Sequence, residues 1–95
     1  MNEALNTRPI IPTTEAILAA RGQTHGDYPL HAAITQAIKR VLYDHYTTSH
    51  SDIARESMEM IAHKLGRILA GDPDFQDHWH DIAGYATLIA DRCTK

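Results

Sequence analysis

The sequence predicts an all-α fold: a small four-helix, bundle-like domain with a short first helix and three longer ones. Apolar residues recur at helical spacing between turn signals, and no segment shows the two-residue alternation of a strand. The chain has 95 residues and no long internal linker, so we expect one helical domain over residues 13–95. Residues 1–12 lack periodicity and contain two prolines, which predicts an extended N-terminal arm.

The first two helices are bounded by capping and stop signals. Thr13 is the predicted N-cap of the first helix, and Gly22 is its predicted stop. A polar loop with two glycines follows, and Asp27 or Tyr28 begins the second helix. We expect that helix to end within residues 47–51, where small polar side chains compete for backbone hydrogen bonds.

The third helix begins at residue 51 or 52 and ends at Gly71, and Asp72 followed by Pro73 signals a restart. Both remaining helices carry an apolar stripe that we expect to face the core. The stripe of the third helix is Ala54, Met58, Ile61, Ala62, Leu65, Ile68 and Leu69, and that of the fourth is Phe75, Trp79, Ile82, Ala86 and Ile89. Gly84 interrupts the fourth helix at a cost of about 1 kcal/mol relative to Ala, so we expect close helix packing there, with a ligand near the backbone as the alternative.

Composition and charge exclude several classes of protein. The formal charge is −3 and 43% of residues are hydrophobic, which is typical of a globular domain and gives no general attraction to duplex nucleic acid. No apolar run approaches the ~18–20 residues that cross a bilayer, and the N-terminus lacks the order of a signal peptide. A single cysteine, Cys93, fits a reducing compartment. We therefore expect a cytoplasmic protein without a membrane partner.

Acidic residues on the last two helices are candidate ligands for magnesium. Glu56 and Glu59 are three residues apart, and Asp77 and Asp81 are four apart, so each pair shares a helix face. Magnesium prefers oxygen ligands, which two such pairs would supply. The alternative is that these carboxylates are solvent-exposed charges. The seven histidines show no zinc-binding spacing, so no zinc site is expected.

Other polar residues are candidates for contacts with a phosphorylated ligand. Lys64 and Arg67 share the flank of the third helix and could hold a phosphate through charge and a bidentate hydrogen bond. The turn before the second helix offers free backbone N–H groups to an anion, and an aromatic residue of the fourth helix could stack on a base. The alternative is a solvated helix surface. The predicted ligand-binding residues are His25, Asp27, Tyr28, Lys64, Arg67 and Tyr85.

A polar stripe runs along the third helix opposite its apolar stripe. It consists of Glu56, Met60, His63 and Arg67. Met60 among charged residues indicates a surface that contacts something other than water, either a ligand or a second subunit. A lone chain would leave Met60 and the isoleucines of the N-terminal arm exposed, so we expect a homo-oligomer.

A family resemblance rests on three segments: RGQTHGDYPLHAAI, ESMEMIAHKLGRILAG and DHWHDIAGYATLIADR. Together they resemble the small phage and prophage helical domains of the nucleotide-modification-associated type, which are similar to the MazG-like all-α nucleoside triphosphate pyrophosphohydrolases. The resemblance covers residues 21–92. If the chain is phage-encoded, its location is the cytoplasm of the host cell.

The resemblance implies a set of functional residues. MazG-like enzymes bind magnesium with a Glu-x-x-Glu pair and a later Glu-x-x-Asp pair, and Glu56, Glu59 and Asp81 match three of these four positions. His78 occupies the fourth position, where it cannot supply an oxygen ligand. Asp77 could supply one instead. The recurring pattern of the nucleotide-modification-associated group includes Lys64, Arg67, Asp81, Gly84 and Tyr85.

Three functions follow from these observations. The first is a non-catalytic nucleotide-binding protein that holds or sequesters a phosphorylated nucleotide near a subunit interface and requires no cofactor. Small phage proteins that sequester nucleotide immune signals are similar in size. The second is a magnesium-dependent nucleoside triphosphate pyrophosphohydrolase. The third is a structural or partner-binding helical module. The missing fourth carboxylate favours the first over the second.

Overall fold

A computed structural model of the chain describes residues 13–95. This range contains four α-helices and no strand: α1 (Thr14–His25), α2 (Tyr28–His45), α3 (Asp52–Ala70) and α4 (Gln76–Ala90). The predicted all-helical fold with four helices is therefore confirmed. The arm predicted for residues 1–12 lies outside the described residues. Within the described range, no helix has both the length and the apolar character that a bilayer-spanning segment needs.

Side-chain caps begin the first three helices where the sequence predicts them. The side chains of Thr13, Asp27 and Ser51 accept hydrogen bonds from the backbone N–H three residues later, at 3.0, 3.3 and 3.1 Å. Each bond satisfies a donor that has no partner inside the helix. The fourth helix lacks such a bond at its N-cap, Phe75.

The predicted stop of α1 at Gly22 is wrong. The helix continues to His25, and the chain turns at Gly26, whose φ of 81° lies in the left-handed region. Gly26 also meets the end of α3, where a Cβ atom would collide with the backbone of Ala70 and Gly71. Both the dihedral angle and the close contact require glycine at residue 26, whereas nothing lies within 4 Å of a Cβ built on Gly22.

Helices α2, α3 and α4 form a single layer with α3 in the middle. On one side of α3, a Cβ atom on Gly66 would collide with the Thr35 hydroxyl of α2, so the two helices cross closely. On the other side, Lys64 pairs with Asp81 of α4. Lys64 and Gly66 are two residues apart and therefore lie about 200° apart around the helix. Helices α2 and α4 thus pack on opposite sides of α3. Over the described range, α2 and α4 do not contact each other, and α1 packs on α2 and α3.

This arrangement leaves a small apolar core. Ala62 and Ile68 are the buried hydrophobic residues of residues 13–95. The other buried side chains of this range are polar, and they are His31, Thr35, Ser57, Lys64 and His78. The predicted core stripes are thus only partly correct: Ala62 and Ile68, at the two edges of the α3 stripe, are buried, whereas the middle of the stripe points between α2 and α4. Leu69 remains 65% exposed and Trp79 50%.

The expectation for Gly84 is also wrong within the described residues. A Cβ atom built on Gly84 meets nothing within 4 Å, so no helix of residues 13–95 packs closely there. The close approach that needs glycine is at Gly66 instead, on α3, where α2 crosses.

Candidate functional site

A cavity of about 500 Å³ lies where the end of α1 and the start of α2 meet α3. Its volume is in the range of pockets that hold small molecules, ~300–1,000 Å³. The polar and aromatic side chains that line it are Arg21, His25, Asp27, Tyr28, His31, His63 and Arg67. We call it the Arg67 cavity. Its lining includes His63 and Arg67, which belong to the polar stripe of α3, and residues of the turn between α1 and α2.

Arg67 is the central charged group of this cavity. Its Nε is buried and has no hydrogen-bond partner among the described residues. Within residues 13–95, no carboxylate lies within 4.0 Å of Arg67 or of Arg21. Burial lowers the pKa of Arg67, but a guanidinium stays charged at neutral pH. A partly desolvated cation with an unused N–H donor is a binding group for an anion.

The histidines of the cavity are neutral at pH 7. Burial, followed by the charge of Arg67, lowers the pKa of both His25 and His63 to about 4. Burial also lowers the pKa of His31. At pH 7 the positive charge of the cavity therefore comes from its two arginines, and the neutral imidazoles supply hydrogen-bonding groups. The carboxylate of Asp27, also at the cavity wall, is engaged as the cap of α2.

Two buried histidines fix the walls of the cavity. His78 of α4 is 1% exposed, and its Nε2–H donates to the carbonyl oxygen of Thr24 at 3.0 Å. The Nε2–H of His31 donates to the carbonyl oxygen of His63 at 3.2 Å. Because a carbonyl only accepts, both bonds define which ring nitrogen carries the proton. The first joins α1 to α4, and the second joins α2 to α3.

Tyr28 is the aromatic group at the entrance of the cavity. Its ring is 77% exposed, and it stands edge-on to His31 with 6.2 Å between the ring centroids. An exposed ring beside an arginine-lined cavity can stack on a planar ligand.

Lys64 lies apart from the Arg67 cavity. Its Nζ is 3.0 Å from Oδ2 of Asp81, and the Lys64 side chain is 11% exposed. The hydrogen bond from Lys64 lowers the pKa of Asp81. This ion pair joins α3 to α4. Of the two cations predicted to hold a phosphate together, the structure places only Arg67 in the cavity.

The four candidate magnesium ligands do not lie together. Glu59 accepts hydrogen bonds from the hydroxyls of Tyr43 and Tyr46, at 3.0 and 3.1 Å, and so joins α3 to α2. Asp81 is paired as described, and Asp77 is exposed on α4. In the part of the chain that the structure describes, no group of three or more His, Cys, Asp or Glu side chains could hold a metal ion.

Glu56 and Tyr85 line a second, shallower cavity of about 360 Å³ between α3 and α4. Its other walls include Ile53, Leu88 and Arg92. Tyr85, predicted as a ligand-binding residue, is thus separate from the Arg67 cavity. The predicted ligand set is divided: four members line the Arg67 cavity, one forms an ion pair and one lines the second cavity.

Arg21 and His31 were not singled out from the sequence, and His78 was considered only at a metal-ligand position. Arg21 lies directly before the polar loop, and its positive charge beside that loop is the sequence feature that could have identified it. His31 and His78 stand on otherwise amphipathic helices, where a buried histidine looks like an exposed one in sequence. Their roles depend on carbonyl oxygens 32 and 54 residues away in the chain.

A match to a known protein family covers every residue of the site. A family model described as a domain of unknown function, DUF6378, matches residues 10–93. The chain belongs to this family. No curated protein and no solved structure matches the chain. The DUF6378 range spans all four helices and every residue of the Arg67 cavity, so the cavity is part of the family domain itself.

Proposed function

We propose that this chain binds and holds a phosphorylated nucleotide in the Arg67 cavity, without needing a cofactor. The observation that carries the proposal is the half-buried guanidinium of Arg67, whose buried Nε–H has no partner among the described residues. Leaving a buried donor unpaired costs about 1–3 kcal/mol, and a phosphate oxygen would remove that cost.

The charges of the cavity favour a phosphate over a neutral ligand. Arg21 and Arg67 both line it, and each lowers the pKa of His25 by its charge. Burial and then the charge of Arg21 lower the pKa of Arg67, so an anionic phosphate between the two arginines would relieve their mutual repulsion and accept the planar, paired hydrogen bonds that a guanidinium offers.

The remaining walls suit a nucleoside. The exposed ring of Tyr28 offers a stacking surface, and Leu18, 61% exposed, adds apolar area. The neutral His25 and His63 can donate or accept hydrogen bonds to a base or sugar. The resemblance to phage and prophage nucleotide-modification-associated domains supports a nucleotide as the class of ligand, including a nucleotide immune signal that the protein would sequester.

The proposal includes self-association. Ala62 and Ile68 are the buried hydrophobic residues of the described range, so the chain has little core of its own. Ten large hydrophobic side chains are exposed in the same range. A homo-oligomer would cover part of that surface.

The test is a binding and turnover screen. The protein is incubated with nucleoside mono-, di- and triphosphates and cyclic nucleotides, with and without magnesium, and free and heat-released ligand are analysed by chromatography. We expect at least one nucleotide to be recovered unaltered after heating, with or without magnesium. Arg67→Met should abolish this recovery. Arg40→Met, at an exposed residue of α2 outside the cavity, is the matched control and should retain it.

Two outcomes would contradict the proposal. Magnesium-dependent release of pyrophosphate that Glu59→Gln abolishes would establish the pyrophosphohydrolase instead. No retention of any nucleotide by the wild-type chain would leave the structural or partner-binding module.

A further inference from the structure

We infer that one face of the α2–α3–α4 layer, uncharged and apolar, is the surface on which a second copy of this chain docks. We call it the apolar face. Its members are Leu30, Ile34, Val41, Met58, Leu65, Leu69, Trp79, Ile82 and Ala86. The inference rests on the self-association included in the proposed function and is independent of ligand binding.

The contacts of α3 define where its part of the apolar face lies. Gly66 meets α2 and Lys64 meets α4, so the two sides of the helix are occupied. Around the helix, at about 100° per residue, Met58, Leu65 and Leu69 fall together between these two directions. Arg67 falls on the other side, where the Arg67 cavity is.

The Arg67 cavity also shows how α2 is oriented. Tyr28 lines the Arg67 cavity, which marks the polar side of α2. Leu30, Ile34 and Val41 lie on the opposite side at helical spacing. Leu30 is 48% exposed and Val41 60%, so the described residues leave this side largely uncovered.

On α4, Asp81 pairs with Lys64, and Tyr85 and Leu88 line the second cavity, so these residues mark the polar side. Trp79, Ile82 and Ala86 lie on the opposite side. The indole N–H of Trp79 donates to the carbonyl oxygen of Pro73 at 2.8 Å, which leaves a ring that is half exposed and needs no further polar partner.

The chemistry and size of the face favour a second copy as its occupant. None of its residues carries a charge, so it offers no charge pattern for a different partner to complement. Three helices, each about 10 Å wide and 22–28 Å long, present roughly 750 Å², close to the ~800 Å² per partner of a stable interface. An isologous dimer needs only one such patch, and it would supply the second layer that a helical layer requires.

Molar mass tests the inference. Light scattering or sedimentation of the wild-type chain at micromolar concentration should give at least twice the 10.6 kDa of one copy. Leu69→Glu and Val41→Glu should each raise the dissociation constant of the oligomer at least 100-fold. Leu88→Glu is the matched control, because Leu88 is 54% exposed on the polar side, and it should leave the oligomer intact.

A second measurement covers the case in which the glutamate variants do not fold. In a Cys93→Ser background, the thiol of Leu69→Cys should react with a thiol reagent at least tenfold more slowly at high protein concentration than at low. The thiol of Leu88→Cys should react at the same rate at both concentrations.

The outcomes separate the inference from the proposed function. A monomeric wild-type chain would overturn both self-association and the docking face, and it would leave nucleotide binding standing. An oligomer that both glutamate variants leave intact, with no protection at residue 69, would overturn the docking face alone. Failure to bind any nucleotide would overturn ligand binding and leave the apolar face standing.

Discussion

The two faces of the α2–α3–α4 layer differ in what covers their side chains. We call the face that carries the Arg67 cavity the polar face. On the polar face, α1 covers part of α3 and encloses the Arg67 cavity. On the apolar face, the described residues supply no covering element, and Leu69 remains 65% exposed. One helix, α3, thus presents a charged, cavity-forming side and an apolar, uncovered side. Because of this difference, we propose a ligand for the first face and another subunit for the second.

The largest expected effect on stability comes from a substitution that forces α2 and α3 apart. Gly66→Leu would insert a side chain where even a Cβ atom collides with Thr35. We expect it to lower the free energy of unfolding by about 3 kcal/mol or more, because the side chains of Thr35 and His31 already fill that space and α2 would have to move away from α3. Urea denaturation followed by circular dichroism measures this.

Gly84→Ala is the control for that substitution. Nothing lies within 4 Å of the added methyl group, so the free energy of unfolding should rise by up to about 1 kcal/mol. Loss of stability at residue 84 similar to that at residue 66 would show that the close crossing is not specific to α2 and α3.

Arg67→Met should separate the functions of the two faces. We expect nucleotide affinity to fall about 10- to 100-fold, since a charge-assisted hydrogen bond contributes ~1.5–3 kcal/mol. Molar mass in solution should not change, because Arg67 lies on the polar face. Calorimetric titration and light scattering of the same sample give both values, and a change in mass would contradict the separation of the faces.

Lys64→Met distinguishes the ion pair from the ligand site. Lys64 pairs with Asp81, whose side chain is 47% exposed, so solvent screens the interaction. We expect a loss of about 1 kcal/mol or less in unfolding free energy and less than a twofold change in nucleotide affinity. A tenfold loss of affinity would place Lys64 in the ligand site, as the sequence alone predicts.

The stability of the polar face should also depend on pH. His25 and His63 have pKa values of about 4 in the folded chain, against 6.5 when unperturbed. Between these values the unfolded chain binds more protons, so stability should fall as the pH drops from 6.5 toward 4 and level off below. The denaturation midpoint at pH 7, 6 and 5 measures this. In the variant with both histidines replaced by glutamine, the slope should decrease.

A bound phosphate should make nucleotide affinity depend on pH in the opposite direction to stability. Its negative charge raises the pKa of nearby histidines, so binding takes up protons. Nucleotide affinity should therefore increase as the pH falls from 7 to 5.5. An affinity that does not change over this range would contradict the placement of the phosphate beside His25 and His63.

The fold was largely predictable because its signals are local. Thr13, Asp27 and Ser51 cap their helices through bonds to amides three residues away, and sequence spacing alone reveals such bonds. The stop of α1 was not predictable in the same way. Gly22 and Gly26 are equivalent by local propensity, and the contact of Gly26 with the end of α3 selects between them.

The site was predictable only in part because it depends on distant contacts. His25, Asp27, Tyr28 and Arg67 were identified from turn chemistry and helix spacing, and all four line the cavity. The separation of Lys64 from Arg67 depends on the position of α4, which sequence spacing does not give. The apolar stripe of α3 was visible in sequence, but periodicity does not tell whether a stripe faces a core or a second subunit.

The most direct test of the central claim is the side-chain Nε–H resonance of Arg67 in a nitrogen-15 NMR titration. Arg67→Met identifies the signal by its disappearance. We expect a nucleotide to shift this resonance in a saturable manner, since the buried Nε–H gains a phosphate acceptor, while the resonance of Arg40 stays in place. A nucleotide that binds at saturation without moving the Arg67 signal would contradict it.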